Sequence, residues 1–204
     1  MDYEFLSLAI GEEGGEAGAG GHRHAGSDAR AAVPGWVIGA LRPIADGSSP
    51  VRAVIHPLGF TCLPVERAGR DGVCVHLWSP RLNSAVPTTS AIHAHSWHLA
   101  SYVLFGRMEN RLMRVAGAGA SEAASGGEAG LYRVLKVRSH GDVDELVPTP
   151  GLVRCLPGQR QVIGAGDVYS MRAGEFHSTE VLPGAEAATV ALGRTVPGVD
   201  DRSL

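Results

Sequence analysis

Cysteine is scarce in this chain of 204 residues: Cys62, Cys74 and Cys155 make three, irregularly spaced and without a C-x-x-C pair. An odd, irregular set argues against a disulfide framework and suits reduced thiols of a cytosolic protein, packed as small buried hydrophobes. Concentrated basic charge is also missing. The chain has 18 Lys and Arg against 21 Asp and Glu, a formal net charge of −3, and the runs around Arg107 to Arg114 and Arg133 to Arg138 alternate with apolar residues as strand faces do. Phosphate backbones need clustered cations, so nucleic acid is not an expected partner. The first ten residues, Met1 to Ile10, carry acids where a secretory signal carries bases, and their apolar run is too short to cross a bilayer. A soluble, cytoplasmic protein with no membrane partner is the expectation. There is no G-x-S-x-G, no Walker-type loop and no dinucleotide fingerprint, which leaves hydrolase, nucleotidase and nicotinamide-dependent chemistry without support.

Glycine, by contrast, is abundant at 28 residues, and the length allows one well-buried core. Residues 1–32 read as a flexible N-terminal segment, with 11–32 rich in Gly, Ala and Glu and too poor in apolar residues to offset the entropy of ordering. A short helix is expected within Trp36 to Arg42, between Pro34 and Pro43. From Val51 the chain changes to short β-rich runs separated by Gly, Pro and Asp, the pattern of a sandwich or barrel. These runs are 51–63, 73–78, 90–105, 109–115, 131–137, 152–156, 167–171, 175–182 and 187–193. The expected organisation is one all-β domain over 33–204, with its barrel core at about 51–194 and a disordered hairpin insert at 116–130.

The stretch Ile92-His93-Ala94-His95-Ser96-Trp97 carries the chemistry. Strand side chains alternate with a period of two, so His93 and His95 share one sheet face and can share one metal ion. The later stretch from Gly166 to His177 reads as strand, tight Arg172-Ala173-Gly174 turn, strand, and can bring His177 against the first pair. Three such ligands leave the other side of a metal open. The same parity turns Trp97, Leu99, Ser101 and Val103 inward, and His98 and Tyr102 away. His22 and His24 form another H-x-H, but in a tail without strand-forming neighbours.

The two stretches resemble the paired motifs of the cupin superfamily, the first at His93, His95 and Gly106 and the second at Gly166, Gly174 and His177. Pro87, Arg172 and Val181 depart from that pattern, and Leu99 stands where the family carries a metal-binding glutamate. The resemblance covers roughly residues 50 to 195. It implies a double-stranded β-helix or jelly-roll barrel, and the all-histidine ligand set is similar to the cysteine dioxygenase and diketone-cleaving branches. That similarity implies Fe(II) at His93, His95 and His177, acting as the catalytic centre of a dioxygenase-like oxidoreductase whose partners are dioxygen and a small molecule. The alternatives are a zinc- or nickel-dependent isomerase or lyase, manganese as a further candidate metal, or a non-catalytic metabolite-binding cupin; a homodimer is a further possibility.

Around the cluster, Trp97, Leu99, Val103, Phe176 and Val181 are expected to form an apolar pocket wall. Of Arg111 and Arg114, on opposite faces after the Gly106 turn, at most one reaches the pocket; Arg114 is the candidate to pair with a substrate carboxylate, with a solvated arginine the favoured alternative. Glu109 and Glu175 are weighed as extra ligands and read as exposed acids. His56 and His76 lie on expected strands as core residues or as supports to the site.

Overall fold

The computed structural model describes residues 2–11, 27–82, 88–117, 130–140 and 143–204. The expected His22/His24 tail pair, Pro87, and most of the segments expected as linker and hairpin insert lie outside them. Among the described residues three helices come first, α1 (Asp2–Ile10), α2 (Ser27–Ala31) and α3 (Val33–Ala45). Twelve strands follow among the described residues: β1 (Val54–His56), β2 (Phe60–Ala68), β3 (Asp71–Trp78), β4 (His93–Ala94), β5 (Trp97–Phe105), β6 (Arg107–Gly117), β7 (Gly130–His140), β8 (Val143–Gly164), β9 (Val168–Met171), β10 (His177–Val181), β11 (Ala187–Thr195) and β12 (Arg202–Ser203). They form two antiparallel groups. One sheet runs β1-β2-β3-β11-β5-β9, and the other closes on itself as β10-β4-β12-β7-β8-β6. The all-β class with an N-terminal helical extension is thus what the chain adopts. Among the described residues no helix is long and apolar enough to cross a membrane.

The single run expected over residues 90–105 is two strands. It breaks at His95 and Ser96, where the chain leaves the closed group (β4) and enters the open sheet (β5); the Ser96 amide donates to the Asp201 carboxylate instead of to a strand neighbour. The parity holds on both sides of the break. Leu99 and Val103 pack with Met108, Ile163 and Met171 between the sheets. Ala100 and Tyr102 face the other way, into a cluster with the helices. Between β5 and β6, Gly106 takes φ 82°, and a Cβ there would run into the Glu186 carbonyl oxygen. Only glycine turns the chain at that spot.

The expectation of a flexible segment over 1–32 is wrong for residues 2–10. Tyr3, Leu6 and Ile10 recur at helical spacing and are buried against Val73, Val75, Val190 and Leu192 on the outer face of the open sheet. The Arg194 guanidinium lies 5.0 Å from the Tyr3 ring, and the Tyr3 amide donates to Glu66 at 3.1 Å, an acid at the positive end of the helix. The α3 helix extends the expected 36–42 stretch in both directions, with Pro34 in the first turn where its missing amide costs nothing; Val33 and Val37 are buried, and Trp36, Leu41 and Ile44 join the same cluster. The open sheet is therefore covered on both faces. Leu6→Ala should cost about 2–5 kcal/mol, read as a lower urea midpoint; a midpoint unchanged from the parent would show α1 to be dispensable.

Candidate metal centre

The register of β4 and β10 builds the site. His93 pairs directly with His177 across these antiparallel strands, which sets their side chains on one face. His95 lies two residues on and returns to that face. The turn before β10 holds the pair in place: Gly174 adopts φ 83°, and its amide donates to the His95 carbonyl at 2.8 Å. The Glu175 carboxylate accepts from the Arg172 amide at 2.8 Å and closes the turn.

One nitrogen from each of His93, His95 and His177 lies within 4.8 Å of the others. The ring centroids are 4.2 Å apart for His93 and His177, 4.8 Å for His93 and His95, and 5.0 Å for His95 and His177. Nδ1 of His93 sits 3.0 Å from the Ala91 carbonyl oxygen, and Nδ1 of His177 3.2 Å from that of Glu175. A carbonyl only accepts, so each Nδ1 carries the proton and each Nε2 keeps a free lone pair. His95 is held by stacking on Trp97 at 4.2 Å and 27°.

Burial keeps these rings neutral. It pushes His177 down to about 3, with His93 adding to the effect. It lowers His93, against the Ala91 hydrogen bond and the Asp201 charge. His95 lies well below the usual range through burial and then the neighbouring histidines. Neutral imidazoles, two with the tautomer set by a backbone carbonyl, are the donor set a divalent transition metal takes, so the residues fit the ion the motif resemblance implies. Among the described residues no carboxylate joins the group. Glu109 bonds Arg111 and Arg160 on the outer surface, and these arginines hold its carboxyl down to about 2. Glu175 is spent on its turn. His98 accepts from the Ala173 amide at 3.1 Å and stays outside the cluster.

The cluster opens into a cavity lined by Leu58, Phe60, His76, Trp78, Ala91, Trp97, Leu99, Tyr169 and Thr179 together with the three histidines. The cavity volume is about 50 Å³, room for roughly three to five waters at about 10–15 Å³ each. Of the expected pocket wall, Trp97 and Leu99 line it. Val103 does not: four residues further along β5 is about 13 Å deeper, in the core between the sheets. Val181 is displaced in the same way along β10. Phe176 neighbours His177 and so faces oppositely, into a cluster with Ala94, Cys155 and Leu204. Arg114 follows an irregularity in the β6–β8 pairing and is exposed. Sequence reasoning missed Phe60, Trp78, Tyr169 and Thr179 as lining residues. Thr179 had a signal, two residues from His177 on the same strand; Phe60 and Trp78 came to the cavity only through sheet pairing.

No family model matches the sequence, and no curated protein matches it. Among solved structures the chain is similar to the polyketide cyclase RemF from Streptomyces resistomycificus, at 17% identity over 76% of this chain and 80% of that one, with a TM-score of 0.42. It is also similar to an RmlC-like cupin from Shewanella frigidimarina, at 10% identity over 73% of this chain and 87% of that one, TM-score 0.38. A third is the hydroxypropylphosphonic acid epoxidase from S. wedmorenis, at 9% identity over 71% of this chain and 55% of that one, TM-score 0.39.

Two outcomes follow from the geometry. His93→Ala, His95→Ala and His177→Ala should each lose the one equivalent of Fe(II) that the histidine cluster retains through gel filtration, whereas His98→Ala should keep it; loss of that equivalent from the His98 variant to the same extent would contradict the placement of that ring. Because the folded histidines titrate below the unfolded value of 6.5, the unfolded chain binds more protons as pH falls. Stability of the metal-free protein should therefore be complete above pH 6.5 and decline as pH drops toward 3, by about 1.4 kcal/mol per pH unit for each histidine involved. Urea midpoints measured across that range test the slope, and a flat profile would contradict burial of neutral rings.

Proposed function

We propose that this protein is a cupin-type oxygenase that holds Fe(II) through His93, His95 and His177 and oxidises a small organic substrate with dioxygen. The observation that supports this reading is the set of three neutral, oriented imidazoles with no carboxylate among them, at the end of a cavity walled by Phe60, Trp78, Trp97 and Leu99. An ion bound there supplies Lewis acidity and, as iron, the means to activate dioxygen, and three protein ligands leave positions for both reactants. Iron rather than zinc rests on the motif resemblance.

The chain's own residues do the rest. The carbonyls of Ala91 and Glu175 keep the Nε2 lone pairs of His93 and His177 free for the ion. The Trp97 indole fixes the plane of His95. Aromatic and aliphatic side chains exclude bulk water from the cavity, which strengthens each polar contact within it. The lining residues that carry polar side-chain atoms to orient a substrate are His76, Trp78, Trp97, Tyr169 and Thr179, the Thr179 hydroxyl already donating to Asn110. Neutral ligands leave the charge of the ion uncompensated, so an anionic substrate is favoured, and the limited space selects a small one.

Tyr169 favours a second reading. It is buried beside the histidines, and burial pushes its hydroxyl above the ordinary range, so it stays protonated and can serve as a proton donor in an isomerase or lyase with zinc or nickel. Oxygen uptake separates the two. The Fe(II)-loaded protein, prepared anaerobically and given a panel of small carboxylates, thiols and enols, is expected to consume dioxygen with at least one of them, whereas zinc-loaded protein is not. Conversion by the zinc form at an equal rate without oxygen uptake, together with its loss in Tyr169→Phe, would replace the oxygenase with the proton-transfer enzyme.

A further inference from the structure

A second group of metal-ligating side chains stands on the inner face of the open sheet. Sγ of Cys62, Sγ of Cys74 and a ring nitrogen of His76 lie within 4.8 Å of one another. Their meeting follows from register. Cys62 pairs directly with His76, and Cys74 lies two residues from His76 on the same strand, so all three share a face. That arrangement depends on an irregularity between Pro64 and Glu66. Continued from Ala68 and Asp71 without it, the register would set Cys62 across from Leu77 and turn its thiol toward the helices.

We propose that Cys62, Cys74 and His76 form a second metal site, for a thiophilic d10 cation such as Zn(II) or Cu(I), in the wall of the same cavity. Two thiolates and an imidazole are a soft donor set that such ions prefer and that differs in kind from the all-nitrogen cluster. The dimensions suit an ion. Bonds of about 2.3 Å to sulfur and about 2.0–2.1 Å to nitrogen put ligand atoms roughly 3.5–3.8 Å apart, which side-chain rotation of about an ångström supplies here.

A disulfide fits less well. Cys62 and Cys74 are diagonal across the strand pair, with Cα atoms about 7–8 Å apart in such an arrangement, beyond the usual reach of a bridge without backbone movement. Cys74 is drawn toward the thiolate, chiefly by the Cys62 thiol and less by His76, while Cys62 is pushed up by the same contact and by burial. His76 is held by the rings of Phe60 at 4.7 Å and Trp78 at 6.0 Å and lines the cavity, so an ion has a way in. Binding releases the thiol protons to solvent as the sulfur–metal bonds form. This site stands whether or not the histidine cluster supports oxygen chemistry.

Full-length reduced protein tests it with Zn(II) and Co(II) as the probes. Wild type is expected to bind two equivalents of Zn(II) and, with Co(II), to show thiolate-to-cobalt charge-transfer absorption in the near ultraviolet. His93→Ala with His95→Ala should keep that absorption and one equivalent. Cys62→Ser with Cys74→Ser should lose the absorption and one equivalent. Alkylation of wild type, read peptide by peptide, covers a variant that fails to fold: with free Zn(II) at about ten times its Kd, Cys62 and Cys74 should react about tenfold more slowly, and Cys155 at an unchanged rate. Absence of the charge-transfer band in wild type, or equal alkylation of Cys62 and Cys74 with and without zinc, would overturn the site. So would isolation of the chain with Cys62 joined to Cys74 and no metal.

Discussion

The pairing of β4 with β10 sets His93 across from His177, and the candidate centre depends on this contact. Each of these short strands is also held on its other side, β4 by β12 and β10 by β6, so the histidines stand on backbone that is hydrogen-bonded from both directions. One buried and two half-buried imidazoles side by side are costly to leave unpaired: charging any one of them meets desolvation and the repulsion of its neighbours. A shared cation satisfies all three lone pairs at once, and the cavity above them is the space left for what that cation binds.

The other wall of the cavity belongs to the open sheet, and its position is held from outside. Val73, Val75 and Leu77 on β3 face the helices, while Cys74, His76 and Trp78 on the same strand face the histidines. The same alternation on β5 puts Ala100 and Tyr102 under the helices and Leu99 over the site. Packing of Leu6 and Ile10 therefore bears on function through the sheet: an outer face left exposed would loosen the strands whose inner face shapes the pocket. Stability and site geometry are coupled here through single strands with two buried faces.

Two groups of metal-ligating side chains share that inner surface. The three-histidine group offers neutral nitrogen donors and the Cys62, Cys74 and His76 group offers softer sulfur donors with one nitrogen, with His76 and the cluster bordering the same space. Charge at one group is felt at the other: a charge on His76 disfavours protonation of His95.

Much of the all-β class was legible in the run lengths and breakers from Val51 onward, and the shared face of His93 and His95 in their spacing, because both rest on the period of two that every strand imposes. Gly174 was legible for a related reason: a turn between two strands needs left-handed backbone, and glycine supplies it. The helical spacing of Tyr3, Leu6 and Ile10 was present in the sequence as well, but a short amphipathic stretch looks the same whether it is solvated or docked until the sheet offers it an apolar face. Long-range register was not legible. The pairing of β2 with β3 that brings Phe60 and Trp78 to the cavity, the break at Ser96 that sends β5 into the other sheet, and the irregularity after Pro64 that turns Cys62 inward are set by tertiary pairing. A slip of one residue reverses every side chain on a strand, and local composition changes little between the two registers.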